Sequence, residues 1–346
     1  METAVESVAP DTKRSVAGGA LRASLGRTPL WLLTAVGTLL LSLLLTLPWH
    51  AWFSATLGHG YEPGSQLVSL DQNFRTDHGA ELGELNRATG QLAALLVLFA
   101  LLMEVFFAGG WLQVFLERTE GHSVRRFFFG GARYFGRFLR VLFLTLVGLA
   151  LLAWLGFGEG TWDRYVLEGY FGVEDGDLEN LRSEMDAVQL GWLQAAVHFV
   201  LFALVLTWAD YTRTRLAMHE TRSAFVAGAN TFFVLLRHPI KTLRPMLLLV
   251  GAEQLVLAAA GLLVIWIQGG MTAESGPLRV VLIGLLGILA VVWGKIVRGA
   301  RYAAAVRVSR DVVSPPSGPN PWSHTVGGPG GPQYPIDDHD EYGVSL

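Results

Sequence analysis

The sequence predicts an all-α polytopic bundle of six membrane-spanning helices, and three observations predict it. Of 346 residues, 51% are hydrophobic and only 16% charged, against roughly a quarter charged in soluble domains; the mean hydropathy is +0.40. Six separate segments reach the ~20 apolar residues that a helix needs to cross about 30 Å of hydrocarbon. Lysine and arginine concentrate in alternate connections, as expected of a chain threading back and forth across one barrier. The net charge of −3 gives no case for nucleic acid as a partner, and zero cysteines exclude a disulfide framework and a cysteine nucleophile.

Taken in order, residues 1–28 form a cytoplasmic segment carrying Lys13, Arg14, Arg22 and Arg27, its first twenty residues read as unstructured. The first span, 30–53, is too long for a signal-peptide core and lacks a small-residue cleavage pattern, so it is read as retained. The connection to the second span (92–115) is poor in base, with Arg75 and Arg87. Its His78 and Glu81 share a helix face, but with no evident third ligand they make no metal site. Between the second span and the third (138–157) stand Arg118, Arg125, Arg126, Arg133 and Arg137.

The next connection, 158–189, is acidic. Its default reading is a solvated, partly helical loop. Asp175, Asp177, Glu179 and Asp186 fall at positions 1, 3, 5 and 12 of an EF-hand-like stretch, but Asn180 replaces the turn glycine and Asp186 is too short for the closing bidentate ligand. After the fourth span (190–208), Arg213, Arg215, Arg222, Arg237, Lys241 and Arg244 precede the fifth (246–268). Arg298, Arg301, Arg307 and Arg310 follow the sixth (278–297). Every connection therefore agrees with both termini in the cytoplasm. From Ser314 onward proline and glycine alternate before an acidic end; 313–346 is read as a disordered cytoplasmic tail, with docking of a cytoplasmic protein as the alternative.

The two long basic connections repeat one another at a fixed spacing of 97 residues, that between Arg125 and Arg222. Trp111 pairs with Trp208, Arg118 with Arg215, His122 with His219, Phe128 with Phe225, Gly131 with Gly228, Ala132 with Ala229, Phe135 with Phe232 and Arg140 with Arg237. A spacing that covers two spans gives copies of like orientation, a parallel repeat of helical hairpins. In each copy a cytoplasmic amphipathic helix is expected. Arg126, Arg133, Arg137 and Arg140 line one side of the first, with Phe127, Tyr134, Phe135 and Phe138 on the other. Phe225, Ala229, Phe232 and Leu236 form the stripe of the second, which Pro239 ends. Such stripes lie among acyl chains with the bases among anionic headgroups, or pack under the bundle, or fill a partner's groove. The expected contacts with anionic lipid at the inner leaflet are Arg125, Arg126, Arg133, Arg137, Arg140, Arg222, Arg237 and Lys241. Glu220, Gly228 and Pro245 imitate the coupling loop of an ABC permease, but the glutamate–glycine spacing is wrong.

Charge at bilayer depth is costly and faces protein or water. Glu104, His198, Glu253 and Gln254 are expected to form an intramembrane polar cluster if their helices adjoin. It is read either as interhelical hydrogen bonding that fixes packing or as a proton-responsive solute pathway. There is no Gly-rich phosphate loop or nucleophile elbow, and His219–Glu220 lacks the second histidine of a zinc-binding H-E-x-x-H pair. No catalytic residue, cofactor or metal is assigned. The stretches 47–58, 67–74 and 125–140 carry a resemblance to a group of uncharacterised bacterial six-span inner-membrane proteins. More distantly, the chain is similar to the membrane domain of some glycerophosphodiester phosphodiesterases. The resemblance implies a fold and no site residues. The function expected is a non-enzymatic component of the membrane that organises protein or lipid partners; the alternative is a proton-linked small-solute transporter or channel.

Overall fold

A computed structural model describes residues 15–57, 72–117, 122–157, 162–169, 172, 183–219, 223–270 and 276–312. The described chain is helical with no strand. It divides into units Met1–Ser309 and Arg310–Leu346, and of the second only the last turn of the final helix is described. The helices are α1 (Val16–Leu25), α2 (Thr28–Leu57), α3 (Gln72–Asp77), α4 (Gly79–Leu116), α5 (Ser123–Phe157), α6 (Glu184–His219), α7 (Ala224–Arg237), α8 (Pro239–Gly269) and α9 (Gly276–Val312), with a π-helical segment at Trp162–Glu168. Six of them (α2, α4, α5, α6, α8 and α9) are long and apolar enough to cross a membrane. The protein is thus an all-α, multi-pass membrane bundle.

The spans outrun their apolar segments, chiefly towards the end where Lys and Arg concentrate, hereafter the basic end. α6 continues eleven residues past Trp208 and α9 fifteen past Val297. These extensions hold the core. Trp111, Leu112 and Val114 of α4 pack with Phe127, Tyr134 and Phe138 of α5, Leu216 of α6 and Tyr302 of α9. Residues 299–306 of α9 are buried on consecutive positions, hence on every side; this half of α9 runs through the middle of the bundle. Glycine permits the tightest crossing. A Cβ on Gly130 would lie 2.2 Å from Gln113 Cβ, and one on Gly109 would lie 2.6 Å from the Gly130 carbonyl oxygen, so α4 and α5 meet backbone to backbone. Towards the opposite end the same helices show exposed leucine, isoleucine and valine, the surface a bilayer would cover.

Residues 15–25 differ from the unstructured reading of the first twenty. The Ser15 hydroxyl caps α1 by accepting from Gly18 N at 3.2 Å. Ala20 is fully buried against Leu249, Val297, Ala300 and Ala304. Ser24 Oγ donates to the Ile296 carbonyl at 2.7 Å. Small residues supply no long apolar run, so α1 is invisible to hydropathy, yet their size is what lets it seat.

The two amphipathic units also differ. The first is no separate helix: α5 is continuous from Ser123, with Phe127, Tyr134 and Phe138 in the core. The second breaks at His238 (φ −133°, ψ 55°), and Pro239 opens α8 as its first residue, where its missing N–H costs nothing. The N-terminal residues 1–14, the 175–179 part of the calcium-like stretch, Arg118, Glu220, Arg222 and the 313–346 tail lie outside the described residues.

Candidate functional site

Polar chemistry within the spans gathers around the middle of α9. Lys295, Arg298 and Tyr302 recur at i, i+3 and i+7, which places them on one stripe of a helix, with Arg301 at its side. Asp210 on α6 is 1% exposed. It accepts from Arg301 Nη2 at 2.5 Å and from Arg213 Nη1, one turn along α6, at 3.3 Å. Arg213 Nη1 donates also to the Tyr302 hydroxyl at 3.4 Å, and the Arg298 guanidinium lies 5.8 Å from the centre of the Tyr302 ring. Glu104 on α4 accepts from Lys295 Nζ, and its second oxygen lies 3.8 Å from Arg298 Nε. Glu253 on α8 meets α9 where there is no side chain: a Cβ on Gly294 would stand 3.5 Å from its Oε1.

The network has a dry end and an open end. The side chains of Asp210 and Arg301 are 1% and 2% exposed, those of Glu104, Arg298 and Lys295 30%, 22% and 16%. At the dry end two guanidinium groups share one carboxylate. These charges are buried by protein, and pairing offsets their desolvation only while every partner remains. The dry end pins α6 to α9. At the open end a carboxylate pairs with an ammonium, both side chains partly exposed.

Of the expected cluster, Glu104 and Glu253 both come to the same stretch of α9, Glu104 at Lys295 and Arg298 and Glu253 at Gly294. His198 does not: it belongs to a recess between α5 and α6, where its Nδ1 donates to the Gln194 carbonyl at 2.7 Å. Its azimuth on α6 turns it towards α5, whereas Asp210 faces α9. Gln254 is exposed, one residue around the helix from Glu253 and so directed elsewhere. Sequence reasoning missed Asp210 and Lys295 and read Arg213, Arg298 and Arg301 as topological bases. The signal was present, since Lys295 falls inside the sixth apolar segment and Asp210 stands alone among bases.

The second candidate surface is the basic end itself. Arg125, Arg133, Arg140, Arg237 and Lys241 are exposed, while Arg126 and Arg137 are partly buried. Arg126 faces Glu117 across the α4–α5 turn at 3.8 Å, and Glu117 in turn accepts from Gln113. Arg133 lies 5.9 Å and 5.6 Å from the Phe129 and Tyr134 ring centres, within cation–π range. α7 buries Ala224, Ala227, Gly228 and Thr231, and Trp208 Nε1 donates to the Gly228 carbonyl at 2.9 Å. Its other faces carry Phe225, Phe232, Phe233 and Leu236, all more than half exposed.

At the opposite end His78 Nδ1 and Glu81 Oε2 stand 3.2 Å apart, and among the described residues no three His, Cys, Asp or Glu side chains converge as metal ligands. No family model, curated protein or solved structure matches the chain.

Proposed function

We propose that the chain is a non-catalytic component of a bacterial inner membrane, both termini cytoplasmic, that holds anionic lipid through paired basic–aromatic units on its cytoplasmic side. One observation carries this reading. α7 is anchored by its small residues, and its aromatic face is thereby held outward, with Phe225 73% and Phe233 66% exposed. Aromatic rings so presented beside Arg237 and Lys241 match the boundary between acyl chains and headgroups. The recess between α5 and α7, about 620 Å³ and lined by Arg140, Leu139, Phe143 and Phe225, supports the same reading: one base at apolar walls fits a phosphate and its chain. The parallel repeat is part of the proposal, because Phe128 on α5 and Phe225 on α7, paired by the 97-residue spacing, are both exposed. The tail from residue 313 remains the proposed strip for a cytoplasmic protein.

The test uses the full chain in nanodiscs of mixed phosphatidylglycerol and phosphatidylcholine, with retained lipid counted by native mass spectrometry. Enrichment of phosphatidylglycerol is expected. Arg237→Gln with Lys241→Gln should reduce it by roughly fivefold per base, following about 1 kcal/mol for each. No enrichment in the wild type would end the proposal.

A second reading, a proton-linked transporter or channel, is favoured by the open end of the ionic network, where Glu104 pairs with Lys295 and Arg298 and Glu253 stands beside Gly294. It no longer includes His198. If it holds, Glu104→Gln abolishes pH-driven flux in reconstituted vesicles; a wild type that passes no tested solute under a proton gradient removes it.

A further inference from the structure

Acids and bases are not matched one to one around α9. Asp210 takes two bases, Arg213 and Arg301, and Glu104 takes two more, Lys295 and Arg298. Glu253 is left over. It makes no hydrogen bond or ion pair, and its Oε1 stands over Gly294, 3.5 Å from where a Cβ would be, so α9 sets no side chain against it there. The residue is partly exposed. It lies seven residues past Met246, where the fifth apolar segment begins, hence about 10 Å along α8 into that segment.

Two opposed effects act on this carboxyl. Burial within the span penalises the charged form. The bases favour it: Arg301 and Arg298 act on Glu253 from α9, opposed by Asp210 on α6 and Glu104 on α4. The acids also differ in what a proton would break. Protonation of Asp210 would leave two guanidinium groups buried without a carboxylate, and protonation of Glu104 would release Lys295 and Arg298, each at the cost of a pair that joins two helices. Protonation of Glu253 breaks nothing. We infer that Glu253 is a proton-binding site of the bundle, its carboxyl taking up and releasing a proton while Glu104 and Asp210 stay ionised under their bases. The inference deepens the transporter reading, on which any use of the proton rests.

The probe is dicyclohexylcarbodiimide, an apolar reagent that enters the bilayer and adds to the protonated acid. The acid proton goes to one carbodiimide nitrogen, the carboxyl oxygen bonds to the central carbon, and an O-to-N acyl shift leaves a stable N-acylurea with nothing lost. The full protein in nanodiscs is treated across a range of pH, and adducts are mapped by mass spectrometry. Modification is expected at Glu253 at neutral pH, with Glu104 and Asp210 spared, and is expected to be lost as the medium is made alkaline. Gly294→Val sets a side chain over the carboxyl and should suppress the modification; if that variant fails to fold, the wild-type pH profile decides. Glu253→Gln breaks no pair and should leave the melting temperature unchanged, whereas Glu104→Gln should lower it. An unmodified Glu253, a modification indifferent to pH, equal modification of Glu104, or equal destabilisation by the two Gln variants would each overturn the inference. Flux is a separate readout. A reactive, pH-dependent Glu253 in vesicles that pass no solute supports the site and removes the transporter reading, while proton-driven flux with Glu253 unreactive overturns the site alone.

Discussion

Asp210 is the residue on which the ionic network turns, because two guanidinium groups from different helices, Arg213 and Arg301, meet on its two oxygens. Asp210→Ala leaves both cations buried without a carboxylate, Arg213 keeping only the Tyr302 hydroxyl, and is expected to cost about 3–5 kcal/mol, measured as reversible unfolding in mild detergent. Joint replacement of all three, Asp210→Leu with Arg213→Met and Arg301→Met, should recover most of that loss, since only then are the charges removed together. At Gly130 a Cβ has nowhere to go between Gln113 and Gly109. Gly130→Val should destabilise by about 1–3 kcal/mol through overpacking, visible in the same melt. Neither residue announces itself in a hydropathy profile. One is an acidic residue in a basic stretch, the other a glycine among forty, and only a neighbour across the bundle gives either a role.

At the scale of elements, α1 shows why short helices of small residues escape notice. Hydrophobic periodicity needs large apolar side chains, and here burial comes from close approach of Ala20 and Ser24 to α9. Removal of residues 1–25 should expose Ala300 and Ala304 and lower the melting temperature. Ser24→Ala alone loses one hydrogen bond, about 0.6 kcal/mol by the mean measured in a membrane protein. The contrast between α5 and α7 was half legible. Pro239 marks the break after α7, while nothing comparable interrupts α5, so the same repeated pattern yields one continuous span and one separate helix. The repeat partners Phe128 and Phe225 both face outward, whereas Phe127 and Phe138, whose counterparts are Ala224 and Leu235, go inward on α5. Phe232→Ser with Phe233→Ser should therefore leave the melting temperature nearly unchanged while reducing phosphatidylglycerol retention.

For the whole molecule, the exposed apolar belt and the buried basic end belong to one design. Lipid solvates the distal halves of the helices, where side chains need no partner, and tertiary packing is concentrated where the helices leave the apolar stretch. Orientation can be tested directly because the chain contains no cysteine. Single cysteines at Arg133 and Lys241 should react from the cytoplasmic face of inside-out vesicles and one at Glu84 from the other; the reverse pattern would overturn the cytoplasmic placement of both termini.

Six spans were determined by the sequence alone, because transfer of ~20 apolar residues into hydrocarbon is a local free energy that needs no knowledge of neighbours. Which buried charges meet was decided only by tertiary structure. The azimuth of a side chain on its helix, and the helix it faces, depend on packing, so Glu104 found Lys295, Asp210 found Arg301, and His198 was turned away into a groove of its own.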